Sequence, residues 1–174
     1  MLTAARSRFS WLLINLATAI LASCVIGLFD ATIEQMVALA ILMPIVASMG
    51  GNAGTQTMTV AVRALAARDI DLYNAGRIIR REALVGLLNG VLFALIIGLV
   101  AAVWFESAGL GGVIAVAMVV NMMAAALAGI LIPLVLDRFG ADPAIASGTF
   151  VTTVTDVVGF FAFLGLAAFW FGLG

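Results

Sequence analysis

Long apolar runs separated by short polar punctuation divide the chain at about Phe9–Phe29, Ile33–Leu65, Ala83–Phe105, Val113–Leu136 and Ala144–Phe171. A spanning helix needs about 20 mostly apolar residues, because the hydrocarbon layer is roughly 30 Å thick and each residue rises about 1.5 Å. The pattern therefore predicts an all-α, polytopic membrane helix bundle: one transmembrane domain over residues 1–174 with five spans. Arg6 and Arg8, ahead of a run ending Leu21-Ala22-Ser23-Cys24, also have the outline of an export or lipoprotein signal. Such a signal precedes a soluble domain, whereas four further apolar stretches follow here. The first run is read as a span.

The second stretch is longer than a straight span requires and contains Pro44, then Gly50-Gly51-Asn52-Ala53-Gly54-Thr55-Gln56. Proline removes a backbone donor and clashes with the preceding turn, and clustered glycines weaken a helix. The expectation is a second helix broken near Pro44 and Gly50–Gly54. Such a break at membrane depth survives only where it lines a cavity or is buried in protein, and broken helices often coordinate ions. Asn52 and Gln56 are one turn apart, and Thr55 and Thr59 share a flank. A packing reading stays open beside this one, since small residues let membrane helices approach closely. A nucleotide-binding reading does not, because neither the Gly-Lys-Ser/Thr ending of a phosphate loop nor a dinucleotide fingerprint is present.

Composition narrows the chemistry. Apolar residues make up 65% of the 174 residues and charged residues 10%, far from the roughly 45–50% and 25% of soluble domains. Histidine and lysine are absent and the net charge is −1, which excludes a nucleic-acid partner and a histidine-based metal site. The lone Cys24 excludes an internal disulfide or a paired-cysteine metal site. Chemistry must come from carboxylates, amides, hydroxyls and backbone. No nucleophile–base pair can be assembled from these, so neither an enzyme activity nor a resident cofactor is expected.

The arginines assign sides. An odd number of spans puts the termini on opposite faces, and Lys or Arg near span ends is retained in the cytoplasm. Arg6 and Arg8 precede the first span, Arg63, Arg68, Arg77, Arg80 and Arg81 surround the second connection, and Arg138 follows the fourth span. All eight fall on one side of a five-span chain, and a wrong span count would scatter them. The predicted location is the inner (plasma) membrane, with the N-terminus cytoplasmic and the C-terminus outside. Asp30, Glu34 and Glu106 populate the opposite loops.

Asp156 sits near the middle of the last apolar stretch, where an ionised side chain costs at least about 2.5–3.5 kcal/mol on insertion scales. Thr149, Thr152 and Thr153 precede it at helical spacing, making a polar stripe. No arginine lies at that depth to pair with it, and the lack of histidine or a second mid-span carboxylate disfavours a proton relay. Two readings remain: a cation path, or a protonated carboxyl hydrogen-bonded to an amide such as Asn121 or Asn89. Mg²⁺ sheds water reluctantly and often uses one or two carboxylates while keeping several waters, which suits a lone aspartate. A twofold dimer would bring two copies of Asp156 to one axis.

These residues resemble the membrane domain of the MgtE magnesium channels, a family related to the animal solute-carrier magnesium transporters. The resemblance covers nearly the whole chain. It rests on Pro44 with Gly50 to Gln56 and Arg63, on Asn121 and Pro133, on Asp142-Pro143-Ala144, and on Thr152 to Phe160 including Asp156. It implies a homodimer of five-span subunits in membrane lipid, with a pore formed by the second and fifth helices of both. At the centre of that pore the aspartate matching Asp156 binds largely hydrated Mg²⁺ as the transported ion, with Asn52 lining the pore nearby. It also implies a cytosolic-side metal contact at Asp142. Typical members carry regulatory domains before the first span. Almost nothing precedes Phe9 here, so those domains are not expected on this chain, whether the natural protein lacks them or this is its membrane part.

The resulting expectation is passive entry of Mg²⁺ through a homodimeric pore, with Asp156 as the metal site and Asn52, Thr149 and Thr152 as pore lining. An ion-coupled exporter or exchanger and a non-transporting scaffold subunit are the alternatives.

Overall fold

The computed structural model describes residues 2–68 and 74–173, with side chains from Phe9 onward; the side chains of Arg6 and Arg8 lie outside the described residues. The described residues form six helices: α1 (Leu2–Gly27), α2 (Asp30–Gln35), α3 (Ala38–Ala66), α4 (Ala75–Trp104), α5 (Ala108–Arg138) and α6 (Pro143–Phe171). All but the short α2 are long and apolar enough to cross a membrane. The all-α, five-span expectation holds. The helices outrun their apolar stretches, since α4 begins at Ala75 and carries Arg77, Arg80 and Arg81 in its first turns.

Local chemistry marks the helix ends. The Ser107 side chain accepts a hydrogen bond from the Leu110 N–H at 3.2 Å and caps α5. Asp142 caps α6 by accepting from the Ala144 N–H at 2.9 Å, with Pro143 in the first turn, where its missing donor costs nothing. Gly172 closes α6 at φ 64°, a left-handed conformation that favours glycine.

The second span departs from expectation. Helix α3 runs without interruption through Pro44 and through Gly50–Gly54, and the chain breaks earlier, at Met36–Val37 between α2 and α3, where Met36 is extended at φ −139° and ψ 85°. Ile33 therefore belongs to α2. The glycines serve neighbours rather than a break. A side chain at Gly50 would collide with Asn121, and one at Gly54 would meet Val151 at 2.6 Å. Thr55 and Thr59 donate their hydroxyls to the carbonyls one turn back, Gly51 and Thr55, each at 2.8 Å.

Helix α5 is the centre of the bundle, packed by α4, α6 and α3, and its small residues bring the backbones together. A Cβ on Gly111 would lie 2.5 Å from the Gly98 carbonyl of α4, and one on Gly129 would lie 2.7 Å from the Gly54 carbonyl of α3. This is the membrane solution to association, in which close van der Waals packing replaces a hydrophobic drive that lipid cannot supply. Fully buried Asn121 lies at the crossing. Its amide donates to the Val46 carbonyl of α3 at 2.8 Å, while Gly50 of α3 and Gly159 of α6 clear the space it occupies.

A side chain at Gly159 would stand 2.6 Å from the Asn121 amide nitrogen. Gly159→Ala is therefore expected to destabilise the bundle by about 1–3 kcal/mol, the usual cost of overpacking, and to cost much less in an Asn121→Ala background. Unfolding measured in micelles across this double-mutant cycle checks the wedge; equal costs in both backgrounds contradict it.

Candidate functional site

The polar groups of α6 face a cavity of about 250 Å³ lined by Asn15, Thr18 and Ala19 of α1 with Thr152, Thr153 and Asp156 of α6. Asp156 is half-buried there. A second cavity of about 700 Å³, nearer the arginine-bearing end, shares Asn15 and Thr152 and adds Thr149, Gly148 and, from α3, Thr55. Asp156, Thr153, Thr152 and Thr149 thus form one lining along α6.

The hydrogen-bond directions decide what that lining offers. Thr152 donates its hydroxyl to the Gly148 and Thr149 carbonyls, both at 3.0 Å, and Thr153 donates to Thr149 at 2.6 Å. With their hydrogens committed to backbone, these hydroxyls present oxygen lone pairs to the cavity, and an ionised carboxylate is acceptor-only. Water bound to a cation points its hydrogens outward. The surface therefore offers lone pairs both to a cation and to the outward hydrogens of its water shell. Among the described residues no group of three or more His, Cys, Asp or Glu side chains is placed to hold a metal, so one chain builds no closed cage.

Neither amide considered as a hydrogen-bond partner for Asp156 serves that role. The Asn121 amide goes to Val46, and Asn89 lines a different cavity. Among the described residues the Asp156 side chain makes no hydrogen bond or ion pair.

Thr149 and Thr152 are thus brought onto the same lining as Asp156, while Asn52 and Asp142 are not. Asn52 lies across α3 in a cavity of about 420 Å³ with Gln56, Glu82 and Asn89, its amide 3.4 Å from the Ser48 hydroxyl. Asp142 is exposed at the start of α6 with one oxygen engaged as a cap, about 20 Å along the helix from Asp156. Asn15 and Thr18 are the residues sequence reasoning missed. Their signal was modest, two polar positions three apart in an apolar span.

The exposed face of α3 is unusual for a membrane helix. Ser48, Asn52, Thr55, Gln56 and Thr59 are all exposed on one side of the chain; backbone carbonyls satisfy the Thr55 and Thr59 hydroxyls, but lipid would leave the amides of Asn52 and Gln56 short of partners. Fold and site together define a five-span membrane helix bundle with an acceptor-lined intramembrane cavity at a lone carboxylate. A family model for MgtE, described as a divalent cation transporter, matches residues 43–166, and the chain belongs to that family. Proteins named magnesium transporter MgtE are similar over most of the chain. That of Enterococcus faecalis is 38% identical over 167 residues, covering 96% of this chain and 37% of its own length. That of Thermus thermophilus is 36% identical over 162 residues, covering 92% and 36%, and that of Bacillus subtilis 33% over 164 residues, covering 94% and 36%. The chain thus spans about a third of the length of these relatives.

Water access separates this lining from the lipid-facing surface. In a Cys24→Ser background, which removes the exposed native thiol, Thr149→Cys is expected to react with a charged, water-soluble thiol reagent, and Leu95→Cys, 68% exposed on α4, at least tenfold more slowly. Equal rates at the two positions contradict a hydrated path along α6.

Proposed function

We propose that this chain conducts Mg²⁺ across the membrane as a homodimer, with a largely hydrated ion held at Asp156. The observation that carries the reading is the acceptor-only lining of Asp156, Thr152 and Thr153. Membership of a divalent cation transporter family and relatives named for magnesium point the same way. Mg²⁺ holds its waters tightly, so ligands that grip the water shell suit it better than a dehydrating cage.

The exposed polar face of α3 supports a second copy. In one chain Asn52 stands apart from Asp156, yet both lie about 20 Å from the arginine-bearing ends of their helices. A twofold axis along the polar faces of α3 and α6 would seat both at one level and remove α3 hydroxyls and amides from lipid. Two carboxylates would then share one hydrated ion, with Asn52, Thr149 and Thr152 lining the approach and Asp142 at the entrance on the arginine side. That side is cytoplasmic by the charge rule. A negative interior favours inward movement of a divalent ion by about 4.6 kcal/mol per 100 mV, so no coupling ion is required.

Asp156→Asn is expected to reduce Mg²⁺ flux into proteoliposomes at least tenfold at fixed voltage, with the protein still folded and dimeric by native mass spectrometry. Asp156→Glu is expected to retain part of it. Unchanged flux in Asp156→Asn overturns the assignment, a monomer overturns the shared site, and flux that tracks an imposed Na⁺ or proton gradient replaces the channel with a coupled transporter.

A further inference from the structure

The cleft between α3 and α4 carries, beside Asn52, polar side chains the Asp156 site does not use. These two helices scarcely touch each other, because both pack on α5, and the gap is floored by Met122 and Ala126. Its walls hold Asn52, Gln56 and Thr57 from α3 and Glu82 and Asn89 from α4, around a volume of about 420 Å³. Helix rise orders them. Asn52 and Asn89 lie about 20 Å from the arginine-bearing ends and Glu82 about 10 Å in.

Glu82 and Asn89 are half-buried. Among the described residues the side chains of Gln56, Glu82 and Asn89 make no hydrogen bond or ion pair. Arg63, Arg77, Arg80 and Arg81 belong to the same end, but all are exposed and none lines the cleft. An anionic ligand would meet a carboxylate and no cation here. The donor set is the reverse, a carboxylate, amide oxygens and a hydroxyl, all hard oxygens of the type that Mg²⁺ and its waters accept. Six waters occupy roughly 180 Å³ at about 30 Å³ each, so a hydrated ion fits.

We infer that the α3–α4 cleft is a second divalent-cation site, with Glu82 as its charged ligand through water and Gln56 and Asn89 as oxygen donors around it. It lies on the other side of α3 from Asp156, with Glu82 on the side of the arginine-bearing end. It is a station on that side of the membrane rather than part of the shared carboxylate pair. The choice of a divalent ion rests on the transport reading above; the geometry of the site does not.

Mn²⁺ alone, titrated into the full chain in nanodiscs and read by electron paramagnetic resonance, tests this. The wild type is expected to bind one ion per chain at Glu82 beside the shared Asp156 site. Glu82→Gln is expected to lose the one-per-chain class, or weaken it at least tenfold, while keeping the other. Asp156→Asn is expected to do the opposite, and Glu82→Asp to retain both. Undiminished binding in Glu82→Gln overturns the inference. So does loss of both classes in Glu82→Gln, which reports a disturbed bundle rather than a local ligand. Failure of Asp156→Asn to change binding counts against the shared site alone, leaving the cleft to be judged by Glu82→Gln.

Discussion

The arrangement turns on one buried amide. Asn121, in the middle of the central helix, donates to the Val46 carbonyl and is received by a glycine on each side, Gly50 of α3 and Gly159 of α6. Lipid gives helices no hydrophobic reason to associate, so a specific hydrogen bond and close packing set their register. That register fixes the candidate site positions. Asp156 lies one turn before Gly159 on α6, and Asn52 two residues beyond Gly50 on α3, so the same wedge sets both heights in the membrane. The Asn121 carbonyl oxygen is itself buried without a partner, so the amide bonds to α3 through its nitrogen and meets α6 by shape.

Around that wedge the bundle divides its small and polar residues by purpose. Glycines and alanines of α4, α5 and α6 face inward and bring backbones together. Asn52, Gln56 and Thr55 of α3 and Thr149, Thr152 and Thr153 of α6 face cavities, while Ser147 and Thr155 of α6 are buried in the core. Thr152 and Thr153 of α6 give their hydrogens to the turn before them and leave oxygen lone pairs toward the cavity, which makes an ordinary helical side-chain bond determine the polarity of a cavity wall. An acceptor wall discriminates by charge, because a hydrated cation presents donors in every direction and an anion presents none.

Much of this was legible in the chain itself. The five apolar stretches and the threonine stripe before Asp156 are local periodic signals, and both survive folding as helices with those residues on them. The glycine-rich segment was misleading as evidence of a break. Glycine lowers helix propensity locally, but inside a bundle the same missing side chain admits a neighbour, and packing against Asn121 and Val151 outweighs that weakness along an unbroken α3. The actual break at Met36–Val37 carries neither glycine nor proline, and nothing local announces it.

Sequence alone determined the membrane environment, the number of spans and the lone mid-span carboxylate, because each follows from how many apolar residues a bilayer requires and how costly a charge is within it. Tertiary structure decided which way each polar face turns. Whether Thr152 joins Asn15 and Thr18 beside Asp156, whether Asn52 falls across α3 with Glu82 and Asn89, and whether Asn121 bonds α3 or the aspartate all depend on helix azimuth. Periodicity places residues on a common face. Which neighbour that face meets is set by packing between residues distant in sequence, where a single glycine at a crossing determines whether two helices can approach.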